Sequence, residues 1–93
     1  MSANPPNDPF AVGLAALAAT IADDRRANRF LDLTGMDPDE LRQRAGDPAL
    51  LTALLAFLEA HEPDLVAVAE AIAIEPKALV AARRALEQEG IAE

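Results

Sequence analysis

Residues 48 to 60 read Pro48-Ala49-Leu50-Leu51-Thr52-Ala53-Leu54-Leu55-Ala56-Phe57-Leu58-Glu59-Ala60, and only Thr52 and Glu59 among them are polar. At about 100° per residue the leucines and Phe57 point around most of a helix's circumference, the signature of a helix covered on nearly every side. Ala49, Thr52, Ala56 and Glu59 form the one narrow stripe suited to water or to a closely approaching backbone. The rest of the chain must supply the cover.

Ninety-three residues can bury one modest core, and 52% apolar with 26% charged residues is the composition of a folded protein. Three Phe, no Trp and no Tyr leave Leu, Ile, Val and Ala to fill the interior, which favours closely packed helices over a thick sheet-based core. The fold class expected is all-α, a compact bundle of five to six short helices, with residues 1–7 as a disordered tail and 8–93 as a single domain. Cysteine is absent, so disulfides, thiolate metal sites and thiol nucleophiles are excluded. A net charge of −8 disfavours nonspecific attraction to nucleic acid or anionic lipid. Seven Arg against one Lys suggest a GC-rich bacterial genome.

Phe10 to Ala22 is apolar apart from Thr20, but it is too short to cross a bilayer core, which needs about twenty residues. The flank Met1 to Pro9 has no Lys or Arg, unlike a secretory n-region. A buried helix in a cytoplasmic protein is therefore expected, with no membrane partner.

Five of the seven prolines directly follow an acid: Asp8-Pro9, Asp37-Pro38, Asp47-Pro48, Glu62-Pro63 and Glu75-Pro76. Each marks a helix start, because Pro at the first helical position lacks an N–H that would be unpaired anyway, while the acid caps free amides and complements the dipole. Helices are expected from Pro9 to Ala22, after Asp23, from Pro38 to Ala45, from Pro48, after Glu62 and from Pro76. Ala27, Phe30, Leu31 and Thr34 form the inner face of the second, and Leu65, Val68, Ala69 and Ile72 that of the fifth. Leu79, Ala82 and Leu86 do so in the sixth. Gly35 suits a left-handed stop with Met36 touching Leu31 in a Schellman arrangement, and Gly90 with Ile91 against Leu86 predicts a second such stop.

Shifting the sequence by 38 residues pairs Phe30 with Val68, Met36 with Ile74, Asp37-Pro38 with Glu75-Pro76 and Leu41 with Leu79. Two similar helix-turn-helix-like corners follow. The exception is Ala73 opposite Gly35, so the second corner must either strain at Ala73 or turn differently. Residues 65–88 place apolar positions where a helix-turn-helix keeps its internal ones, leaving Lys77 and Arg84 as the candidate nucleic-acid contacts. Glu75 opposes the phosphate charge, so a structural corner is preferred over a DNA-binding one.

Arg25, Arg26, Arg29, Arg42 and Arg44 are interleaved with Asp23, Asp24, Asp32, Asp39 and Glu40, which favours ion pairing on a solvated face over an anion site. Glu59, His61, Glu62 and Asp64 gather after the central helix, but one imidazole and scattered carboxylates have no metal-ligand spacing. The lone His lacks a Cys or Tyr, and Ser2, the only serine, lies in the tail, so no catalytic residue, cofactor or small-molecule substrate is expected.

The run Arg29-Phe30-Leu31-Asp32-Leu33-Thr34-Gly35-Met36-Asp37-Pro38-Asp39-Glu40-Leu41-Arg42, followed by Ala45 and Leu50 to Leu58, resembles the bacterial domain-of-unknown-function family 3572. The likeness covers about residues 13–86, and Arg-Phe-Leu, Thr-Gly and Pro-x-x-Leu-Arg are its most specific elements. It implies a small alphaproteobacterial protein and no established activity, cofactor or catalytic residue. The chain departs from the family's pattern at Asp23-Asp24, where relatives often have Asp-Pro, and at Ala73, where they often have Gly.

We read the chain as a noncatalytic interaction or homo-oligomerising module, because six short helices can hardly enclose two helices that are apolar nearly all round. Phe10, Leu14, Leu17 and Ile21 on the first helix, with Thr52 and Glu59 on the central one, are the candidate interaction residues. Gly13 would permit close approach across a dimer axis. The alternative is a helix-turn-helix-like DNA-binding regulator.

Overall fold

The structure, a computed structural model, describes residues 8–91, with side chains as far as Gln88. Its elements are α1 (Pro9–Ile21), α2 (Asp24–Thr34), α3 (Pro38–Gln43), α4 (Pro48–Glu59), α5 (Glu62–Ala71) and α6 (Pro76–Ile91). The expected tail at 1–7 and the expected contact of Ile91 with Leu86 lie outside what is described.

Helix α4 is the hub, with Leu50, Leu51, Leu54, Leu55, Phe57 and Leu58 all buried. It packs most extensively on α6 and then on α1, and α1 also lies along α6, so three helices enclose one core. Leu79, Ala82 and Leu86, at spacings of three and four, are the inward residues of α6. Full burial of each such leucine contributes about 1.5–3 kcal/mol. Helices α1 and α4 approach closely at Gly13, where an added Cβ would stand 3.2 Å from both Cβ and Cδ1 of Leu51. The missing side chain is thus used inside the domain, not at a dimer axis. Phe30 of α2 plugs the same core and meets the ring of Phe57 edge-on, with centroids 5.2 Å apart.

The helix starts follow the acid-proline pattern with one shift. Asp8, Asp37 and Asp47 each accept a hydrogen bond from a first-turn amide, those of Phe10, Glu40 and Ala49, and Asp23 does the same for Arg26. Helix α5 begins at Glu62 itself, with His61 at the cap position and no side-chain capping bond.

The two corners stop by different devices. Gly35 adopts φ 75°, ψ 9°, and its amide donates to the Leu31 carbonyl at 2.8 Å, while the Met36 amide turns to the Thr34 hydroxyl. This is the simpler left-handed stop, in place of the expected Schellman arrangement. The Schellman pair forms instead at the second corner: Ile74 N–H to the Ala69 carbonyl at 3.0 Å and Ala73 N–H to the Glu70 carbonyl at 3.1 Å. Ala73 sits at φ 63°, so this corner keeps the left-handed geometry and accepts the strain of a Cβ there. The positive-φ residues among those described, Gly35 and Ala73, are the pair related by the 38-residue shift.

Gly90 does not stop α6, which continues through it to Ile91. A glycine inside a helix costs about 1 kcal/mol, and it ends the helix only when the following residues make the left-handed turn. The Cα radius of gyration, 12.5 Å, is close to the ~12 Å expected of a compact chain this long.

Candidate functional site

Helix α2 places Arg26 and Arg29 three residues apart on one face, and the first turn of α5 places His61 and Asp64 likewise. The two faces meet. Asp64 is buried and accepts from Arg26 Nε at 2.9 Å and from Arg29 Nη2 at 2.6 Å, while His61 Nδ1 lies 3.0 Å from the same carboxylate. Burial pushes the Asp64 carboxyl up, but the hydrogen bonds from Arg29, Arg26 and His61 outweigh it and hold the group well below the usual carboxylate range. The same bond to Asp64 raises the Arg29 guanidinium. Arg29 also stacks on Phe57, its Cζ 5.3 Å from the ring centroid. Asp23 caps α2 and reaches Arg26 Nη1 at 3.7 Å; the Arg26 amide bond is the first cause of its lowered pKa.

These groups line an open cleft of about 500 Å³ that also takes in Arg25 and Asn28. A second cleft, lined by Asp32, Leu33, Phe57 and Ala60, shares Arg29 and His61 with it. The sequence reading held the arginines and the His61–Asp64 group apart, assigning the arginines to local partners. Local pairs do form, Arg42 with Asp39 at 2.7 Å, Arg44 with Asp47 at 3.7 Å and Arg26 with Asp23 at 3.7 Å, but Arg26 and Arg29 also reach across 38 and 35 residues to Asp64. The available signal was a pair of complementary i, i+3 motifs, two arginines on one helix and a His-Asp on another. Glu59 pairs with Arg83 of α6, whose Nη1 lies 2.8 Å from Glu87, and Glu62 is exposed. Among the described residues no three His, Asp or Glu side chains converge as metal ligands.

The candidate interaction residues of α1 divide. Phe10, Leu14 and Ile21 are 40%, 37% and 44% exposed, whereas Leu17 is buried with Val12, Gly13, Ala16 and Thr20. Leu17 is therefore core and is removed from the candidate surface. Helix α1 offers no polar residue to set its phase except Thr20, whose hydroxyl donates to the Ala16 carbonyl at 2.8 Å inside the core. On α4, Thr52 is half-buried and returns its hydroxyl to the Pro48 carbonyl at 2.9 Å, and Glu59 is committed to Arg83. At the second corner Lys77 projects from the start of α6 with Nζ 3.5 Å from Glu75, and Arg84 is exposed beside Ala81, Ala85 and Gln88. Among the described residues no helix is long and apolar enough to cross a membrane.

Six helices around a leucine-rich hub, with a polar latch tying the second helix to the fifth, define a small all-α protein. The chain belongs to a family described as protein of unknown function (DUF3572), whose model matches residues 6–89. No curated protein and no solved structure matches it.

Proposed function

We propose that the protein is a noncatalytic helical module that pairs with a second copy of itself through the solvent face of α1. The observation that carries this is the character of that face: Pro9–Ile21 contains no ionisable residue, yet it presents Phe10, Leu14 and Ile21 to solvent. Every other helix described carries charge. Two copies each bearing −8 repel, so the surface on which they meet has to be free of charge, and α1 qualifies. Antiparallel pairing of two α1 helices about a two-fold axis sets Phe10 against Ile21 of the second copy and Leu14 against its Ala18, large against small, which suits close packing. A cytoplasmic setting in a GC-rich, alphaproteobacterial host fits the cysteine-free, arginine-rich composition.

Sedimentation velocity over a concentration series tests the pairing. A dimer that Leu14→Glu dissociates is the expected result, and a strict monomer at millimolar concentration overturns it. The alternative, a DNA-binding regulator using residues 65–88, is supported by the left-handed turn at Ala73. Against it stands Glu75, beside Lys77 at the start of α6. It requires salt-sensitive DNA binding that Lys77→Glu or Arg84→Glu weakens, and absence of binding at low salt ends it.

A further inference from the structure

We propose that residues 24–45, helices α2 and α3, form a flap that opens as one unit while α1, α4, α5 and α6 stay folded, and that the bonds from Arg26 and Arg29 to Asp64 are its catch. The division lies in the packing. Helices α1, α4, α5 and α6 each pack against the other three, a closed four-helix set, whereas α2 packs extensively on α1 alone and α3 on none of the described helices. Across the flap the buried side chains are Phe30, Met36 and Leu41, against six on α4. A segment with few buried apolar groups opens at lower free energy than the core it covers. At 11 and 6 residues, α2 and α3 are too short to persist as helices in water, so a flap that undocks also melts.

The contacts that hold the flap gather on its first helix. Phe30 meets the Phe57 ring edge-on, the Arg29 guanidinium lies over the same ring, and Arg26 and Arg29 cross to Asp64. The catch can part without stranding a charge. Arg26 and Arg29, with side chains 18% and 46% exposed, leave with α2 and rehydrate, while Asp64 stays on α5 and keeps His61 of the same turn, 3.0 Å away. A buried charge left without a partner would make the opening far costlier. Opening strips Phe57 of Phe30 and Arg29 and lays bare one side of the hub helix. The closed flap thus conceals an apolar surface separate from the solvent face of α1, and the inference does not depend on self-pairing there.

Native-state hydrogen exchange of the full-length protein, in urea well below the unfolding midpoint, tests this. The amides of α2 and α3 are expected to share one opening free energy and one urea slope, both lower than those of the slowest amides in α4 and α6. Asp64→Asn should speed exchange in α2 and α3 about ten- to thirtyfold through the lost arginine bonds. Ala82→Gly, which weakens the buried face of α6, should speed the slowest α4 and α6 amides about tenfold and leave those of α2 and α3 at the wild-type rate. A single isotherm shared by all six helices, a spread of urea-independent rates within α2 and α3, equal acceleration of flap and bundle by Ala82→Gly, or flap exchange unmoved by Asp64→Asn would overturn the proposal.

Discussion

Asp64→Asn removes the negative charge beneath two arginines and keeps the shape of the side chain. Asn offers one carbonyl oxygen where the carboxylate offered two, and its amide N–H₂ then confronts a guanidinium or the imidazole. At least one charge-assisted bond is lost, from among Arg26 at 2.9 Å, Arg29 at 2.6 Å and His61 at 3.0 Å, and both guanidiniums lose their counter-charge. Breaking a fully buried pair costs about 3–5 kcal/mol. The side chain of Asp64 is 6% exposed, but those of Arg26 and Arg29 are 18% and 46% exposed and can rehydrate. Solvent screening therefore brings the expected loss to about 2 kcal/mol. Against a total of about 5–14 kcal/mol for a chain of this length, that is a large share. The melting temperature should fall by roughly 8–16 °C. Without Trp or Tyr, the measurement is far-UV circular dichroism during urea and thermal unfolding. A loss below about 0.5 kcal/mol would place the latch among ordinary surface pairs and refute the reasoning.

The same latch sets a pH dependence. The folded Asp64 carboxyl lies below its ordinary value of 3.8, so its contribution is fully present above that value and drains away as pH falls through the folded one. The stability difference between wild type and Asp64→Asn should stay level from neutral pH down to about pH 4 and shrink below it. A difference that shrinks already near pH 6 would contradict the assignment.

Ala73→Gly should raise stability by about 1 kcal/mol, since glycine occupies φ 63° without the penalty a Cβ imposes. An unchanged or lower urea midpoint would mean that the turn relaxes at no cost. Gly13→Val should lose about 1–3 kcal/mol by forcing α1 off Leu51, whereas Gly13→Ala should lose less, its contact at 3.2 Å being partly offset by better helix propensity. If both variants melt with the wild type, the α1–α4 approach is looser than described.

The hub and most of the core could be read from sequence because their positions are set by strong local periodicity. Phe30, Leu41, Leu79, Ala82 and Leu86 each recur at helical spacing beside polar neighbours, which fixes which face turns inward. The first helix lacks that contrast. With apolar residues all round, its phase was decided by packing on α4 and α6, which chose Val12, Ala16 and Leu17 and left Phe10 and Leu14 outside. Asp64 was illegible for a related reason. An aspartate in the first turn of a helix is ordinarily a solvated dipole partner, and its burial here depends on two arginines from a helix more than thirty residues earlier. Gly35 and Ala73 were legible as a pair, but which would form the Schellman bonds depended on backbone geometry that a glycine signal does not encode.

The packing of α1 along α6 also bears on how the chain is made. The first and last helices described share one interface, and α6 is the most extensive cover that α4 receives. A nascent chain emerging N-terminus first therefore exposes Leu51, Leu54, Leu55 and Leu58 before their main partner has left the ribosome. Helix α1 can shield one side of that surface but not the other. The hub stays adhesive until α6 arrives, so a chain stalled before Pro76 presents its stickiest segment to the cell and should depend on chaperones more than a chain that includes α6.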